Sequence, residues 1–268
     1  MTQPSPWRKS LIIGLLALTP LPLSAHEYWV EPQGPAVLAP GAALQAELKV
    51  GQHFKGSRQA YIPRNLERAE VRDPDGQTLE LNALIGQRPA IDVEASGPGT
   101  YVAGIVTTNS SLVWRQEEKF LNFLEYDGLM AALPIHKARG LPAKDFRETY
   151  ARSGKALFQV GEGSLTDQVL GLPLEVILIS RDGDSMLIEV RQDGQPLVDH
   201  QLRTFQNRAG EITEEETQTD ALGRAQVDVS GGGLFMLNIV TLREPQKPEK
   251  DEVWHSWWGT LSFKLPET

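Results

Sequence analysis

The sequence predicts a mostly β protein, built as two β-sandwich domains joined by a short helical connector. Three observations carry that expectation: apolar and polar side chains that alternate through several short segments, turn signals between those segments, and one interior stretch with helical spacing. Leu44, Ala46, Leu48 and Val50 alternate with Gln45, Glu47 and Lys49, the period of two that marks a strand with one face on a core. The same period returns at Met186, Ile188 and Val190, at Ala225, Val227 and Val229, and at Leu261, Phe263 and Leu265. Tight connections are expected at Asp73-Pro74-Asp75-Gly76, Gly97-Pro98-Gly99, Asp193-Gly194-Gln195-Pro196 and Asp220-Ala221-Leu222-Gly223, whose residues supply the backbone angles that turns demand. Gly231-Gly232-Gly233 lacks the Lys-Ser/Thr of a phosphate loop and lies between two strand patterns, so it reads as a hairpin turn.

Helical spacing is confined to the interior. Phe120, Phe123 and Leu124, and then Phe146, Thr149 and Tyr150, predict two short helices, the second exposing Lys144, Glu148 and Arg152. Gly140-Leu141-Pro142 separates them. The expected division is a signal peptide at 1–25, an N-terminal β domain at 26–116, a helical connector at 117–154 and a C-terminal β-sandwich domain at 155–268. The acidic run Glu211 to Glu216 reads as a solvated loop.

The N-terminal segment bears on compartment. Arg8 and Lys9 precede an apolar run from Leu11 to Leu18 that ends at Pro20 and Pro22, and small residues follow at Ser24 and Ala25. That order predicts a secretory signal cleaved after Ala25, and the run is too short for a membrane span of about 20 residues. A periplasmic protein starting at His26, with no membrane span after cleavage, is the expectation. Cysteine is absent, which excludes disulfides, thiol catalysis and thiolate metal sites. Two of the 26 basic residues and none of the 35 acidic ones fall before His26, which leaves a net charge of −11 for the remainder. Such a surface disfavours nucleic acid and suits cations.

The residues that could carry chemistry are histidines. Cleavage after Ala25 would give His26 a free α-amine beside its imidazole, a bidentate nitrogen chelate suited to copper, nickel or cobalt when one further His joins it. His53, between Gly51 and Gly56, occupies a loop position and is the first expected partner. His255, in the aromatic stretch Trp254 to Trp258, is the second. His136 and His200 have no ligand-spaced neighbours and read as structural. With neither a Gly-x-Ser-x-Gly elbow nor a His-Glu-x-x-His helix, hydrolase chemistry has no support.

His26-Glu27-Tyr28-Trp29, Val50 to Gly56, Tyr61-Ile62-Pro63, Glu118-Lys119-Phe120, Tyr150 to Leu157 and Trp254 to Phe263 follow one another in an order that resembles the NikM-like periplasmic family of nickel/cobalt uptake transporter components, a family also described as exported proteins of unknown function. The resemblance implies immunoglobulin-like or prealbumin-like β domains and a role in divalent metal uptake. The expected function is therefore a non-catalytic metal-binding accessory protein that presents nickel, cobalt or copper to a membrane transporter component. Two alternatives stand beside it: a β-sandwich protein-interaction module, and a copper oxidase built on a histidine brace at His26.

Overall fold

Leu44, Ala46 and Leu48 all turn into one core, as their alternation predicts, and the strand that carries them anchors the N-terminal half of the fold. The computed structural model describes residues 26–246 and 251–268, so the expected signal peptide at 1–25 lies outside the described residues. In chain order the first strands are β1 (Glu27–Pro32), β2 (Val37–Leu38), β3 (Ala43–Gln52), β4 (Lys55–Gln59), β5 (Leu66–Arg72), β6 (Thr78–Leu79), β7 (Ile91–Glu94), β8 (Gly99–Thr107) and β9 (Ser110–Trp114). Helices α1 (Glu117–Tyr126) and α2 (Ala132–Ala138) follow, then the long strand β10 (Phe146–Val160). The remainder is β11 (Leu174–Asp182), β12 (Ser185–Gln192), β13 (Gln195–Pro196), β14 (Gln201–Arg208), β15 (Glu211–Gln218), β16 (Arg224–Asp228), β17 (Gly233–Arg243) and β18 (Glu252–Leu265). Strands make up 54% of the described residues and helices 8%, and no sheet among them closes into a barrel, which is the mostly β, sandwich-like fold with a short helical part.

Three sheets stack in layers. The middle one has ten strands, with β15-β14-β17-β18-β10-β8-β5-β6 as its main path and β2 and β9 also paired to β10. Its core strands carry apolar side chains on both faces, because both faces are covered. Val102, Leu157, Leu237, Ile239, Leu261 and Phe263 point to the C-terminal sheet of β11, β12, β13 and β16. Tyr101, Ala103, Ile105, Ala156 and Phe158 point the other way, onto the N-terminal sheet of β1, β3, β4 and β7. On that same side Trp254 and Trp258 of β18 are covered by α1, through Phe120, Phe123 and Leu124. No helix among the described residues is long and apolar enough to cross a membrane.

Several expectations are corrected. The first helix forms where its apolar spacing predicts, but 146–152 is strand, and the second helix lies earlier, at Ala132–Ala138. The cause is burial of polar groups. Glu148, expected on an exposed helical face, is fully buried in β10, accepting hydrogen bonds from Trp114 Nε1 (2.7 Å) and Ser256 Oγ (2.5 Å). The 154/155 boundary expected between connector and C-terminal domain falls inside β10, which pairs parallel with β18 over Arg147–Ala156 and antiparallel with β8 and β9. Glu211 to Glu216 is no loop but part of edge strand β15, paired to β14 throughout. Gly231 to Gly233 leads from β16 in one sheet to β17 in another, so it is a crossover and not a hairpin.

Candidate functional site

The β3–β4 hairpin turns in two residues, His53 and Phe54, with φ of 52° and 59°. Both central residues of such a turn must sit in the left-handed region, which Gly adopts freely, Asn and His adopt more readily than most residues, and a bulky Phe resists. The strain is held by packing. Phe54 is buried, its ring 5.4 Å from Trp29 and 6.2 Å from Phe205, while Gly51 and Gly56 face each other across the hairpin. A Cβ on Gly56 would stand 2.5 Å from the Trp29 indole, so glycine there lets the hairpin close over that ring.

With Phe54 pinned inward, His53 is presented outward, and its ring is half exposed. Nδ1 lies 3.0 Å from Glu214 Oε2 and 3.2 Å from the Tyr126 hydroxyl, which itself donates to Glu214 Oε1 at 2.9 Å. Glu214 is also paired with Arg203, whose guanidinium lies 3.7 Å over the Tyr126 ring and reaches Glu216 at 2.7 Å. Arg203 and the Gln201 amide both donate to the Tyr126 carbonyl, filling acceptors that the C-terminus of α1 would otherwise leave open. Burial pushes the Glu214 carboxyl up, but the His53 and Tyr126 hydrogen bonds and the Arg203 charge outweigh it, and its pKa falls below the ordinary value. Glu214 is therefore an ionised acceptor. Nδ1–H of His53 donates to it, which directs the lone pair of Nε2 outward, the arrangement that orients metal-ligating histidines.

The β1–β3 register places His26 at the same end of this sheet. Glu27 pairs with Gly51, so His26 lies one step beyond, level with Gln52 and next to the turn that carries His53. Glu27 itself is buried, and its Oε2 has no hydrogen-bond partner. Burial raises its pKa to about 7, only partly offset by the backbone amides of Glu27 and His53 and by the His53 ring. Asp127, just beyond α1, is raised well above the carboxylate range by burial first and by the Glu27 charge second.

His255 is elsewhere. On β18 it alternates with Trp254 and Trp258, so its side chain leaves the opposite face of the middle sheet from α1, beside Trp257 and 3.2 Å from Glu252. The register puts His26 and His53 at the same end of the N-terminal sheet, and His255 lies on another element. His136 is buried on α2, with Nε2 on the Pro142 carbonyl (2.9 Å) and Nδ1 accepting from Trp254 Nε1 (3.0 Å). Among the described residues no set of three or more His, Asp or Glu side chains forms a ready metal cage.

Glu27, Tyr126, Arg203 and Glu214 were not legible as a group, since they come from four distant elements. The available signal was the charge of Glu214 and Glu216, which share a face of β15 and stand opposite Phe205 and Arg203. No curated protein matches this chain. A family described as "Domain of unknown function (DUF4198)" matches it over residues 23–243, most of its length, and the chain belongs to that family.

Proposed function

We propose that the protein is a periplasmic, non-catalytic accessory factor that binds a divalent transition metal, nickel, cobalt or copper, and presents it to a membrane transporter component. The ligands are the α-amine and imidazole of His26, available once the chain starts there, and Nε2 of His53. The observation that supports the reading is the pairing of Glu27 with Gly51, which puts His26 at the same end of the sheet as a histidine already hydrogen-bonded to a carboxylate. An amine and two imidazoles suit late first-row divalent ions, with copper bound most tightly in the usual order. A set that includes the main-chain amine would not register as a cage of side chains. The resemblance to NikM-like uptake components supports the transport role.

Calorimetric titration with copper, nickel and cobalt tests the site, using protein that begins at His26, a form with one residue added before it, and His26→Ala. Tight binding by the first form alone is expected. Equal binding by all three removes the terminal site and leaves the protein-interaction module as the better reading.

A further inference from the structure

A cavity of about 330 Å³ opens at the seam between the N-terminal and middle sheets, on the Tyr28 face of β1. Tyr28 and Arg152 reach it from the two sheets. Exposed Asn65, Asn109 and Ser110 stand at its mouth. Val50, Ile62 and Leu66 make one wall apolar, and no carboxylate lines it.

Arg152 is the unusual group. Its guanidinium lies over the Tyr150 ring, 4.5 Å from the centroid, shares a hydrogen bond with the Tyr150 hydroxyl and reaches the His26 carbonyl through Nη2 at 3.4 Å. Nε is buried and has no partner, and no Asp or Glu among the described residues pairs with this side chain. The hydroxyl of Tyr28, on a side chain only 4% exposed, is likewise buried without a partner at the same cavity. A half-buried cation with no carboxylate partner and a buried, unbonded Nε, next to a buried hydroxyl without a partner, is a costly arrangement that a ligand at the cavity would complete.

We infer that this cavity binds a small organic carboxylate, its oxygens on Arg152 and the Tyr28 hydroxyl and its carbon body against Val50, Ile62 and Leu66. The fork of guanidinium donors matches a planar carboxylate, and the apolar wall favours an organic acid over inorganic phosphate or sulfate. The volume, at the low end for ligand pockets, limits it to a few carbons. This inference does not rest on the metal reading, although Arg152 also reaches the His26 carbonyl.

Calorimetry and thermal shift on metal-free protein with acetate, propionate, succinate, phosphate and sulfate test it. At least one organic acid should bind saturably and raise Tm, while phosphate and sulfate bind weakly. Arg152→Met should weaken that binding about 10- to 100-fold and Tyr28→Phe, which keeps the ring, about 3- to 10-fold. Ligand-free Arg152→Met should melt close to the unmodified protein, because the lost ring and hydrogen-bond contacts are offset by removal of a partly desolvated charge that has no carboxylate partner. Absence of saturable binding by every organic acid, a preference for phosphate or sulfate, unaltered binding by both variants, or a clear drop in ligand-free Tm for Arg152→Met would each overturn it.

Discussion

His53 serves two demands that pull apart, and this separates stability from binding at a single residue. Its imidazole is held by Glu214, yet its backbone sits at φ 52°, a left-handed conformation that costs a non-glycine residue roughly 1 kcal/mol and to which Asn is at least as well suited as His. His53→Asn keeps a side chain that tolerates the left-handed region. The expected outcome is a Tm equal to or above that of the unmodified protein together with a metal affinity at least about 10-fold lower, read by thermal melts and calorimetry on the same samples. A fall in Tm with intact affinity would contradict both halves. At this scale the sequence disclosed the histidines, because terminal and loop positions can be read locally. It did not disclose Glu214, Tyr126 or Arg203, whose meeting depends on a cross-strand register and a helix end that no local spacing encodes.

Among the elements, β10 holds the layers together and was the hardest to read. A strand buried on both faces should be a continuous apolar run, but β10 carries Glu148 and Lys155, both fully buried. Glu148, spaced with Lys144 and Arg152, imitated the polar face of a helix. The alternating strands β3, β12, β16 and β18, and helix α1, were legible because their regularly spaced apolar side chains fall in the core, even where Glu47, Glu189 and Ser262 are buried beside them. Lys155 lies 2.8 Å from both Asp167 and Glu175, and Glu175 also accepts the backbone amides of Leu170, Gly171 and Leu172. The ion cluster thereby pins the segment between β10 and β11 against the middle sheet. Lys155→Met leaves two buried carboxylates without their cation and should cost about 3–5 kcal/mol, a lower urea midpoint with an unchanged slope. Metal affinity at the distant His26–His53 end should not move.

Across the whole molecule, the buried carboxyls set how stability varies with pH. Glu27 and Glu148 both stand at about 7 in the fold against 4.5 unperturbed, burial being the main cause for each. A carboxyl whose folded pKa is raised contributes stability that is fully present below its unfolded pKa and is lost as pH rises through its folded one. The two together therefore weaken the fold between about pH 4.5 and pH 7 and beyond, each by an amount on the order of 3 kcal/mol at alkaline pH. Glu189 and Glu214 act in the opposite sense: their pKa values are lowered, so their contribution is lost toward acid. The optimum accordingly lies on the mildly acidic side of neutrality. Glu148→Gln isolates one of the two contributions, because the amide oxygen can accept from Trp114 while its NH2 donates to Ser256, reproducing the protonated carboxyl without a titrating proton. Urea unfolding from pH 5 to pH 8 should show the unmodified protein losing stability with rising pH and Glu148→Gln losing distinctly less, with the two curves converging at the acidic end. Parallel curves would mean that Glu148 is ionised inside the fold throughout, and the Trp114 and Ser256 hydrogen bonds would then be enough to hold a buried charge.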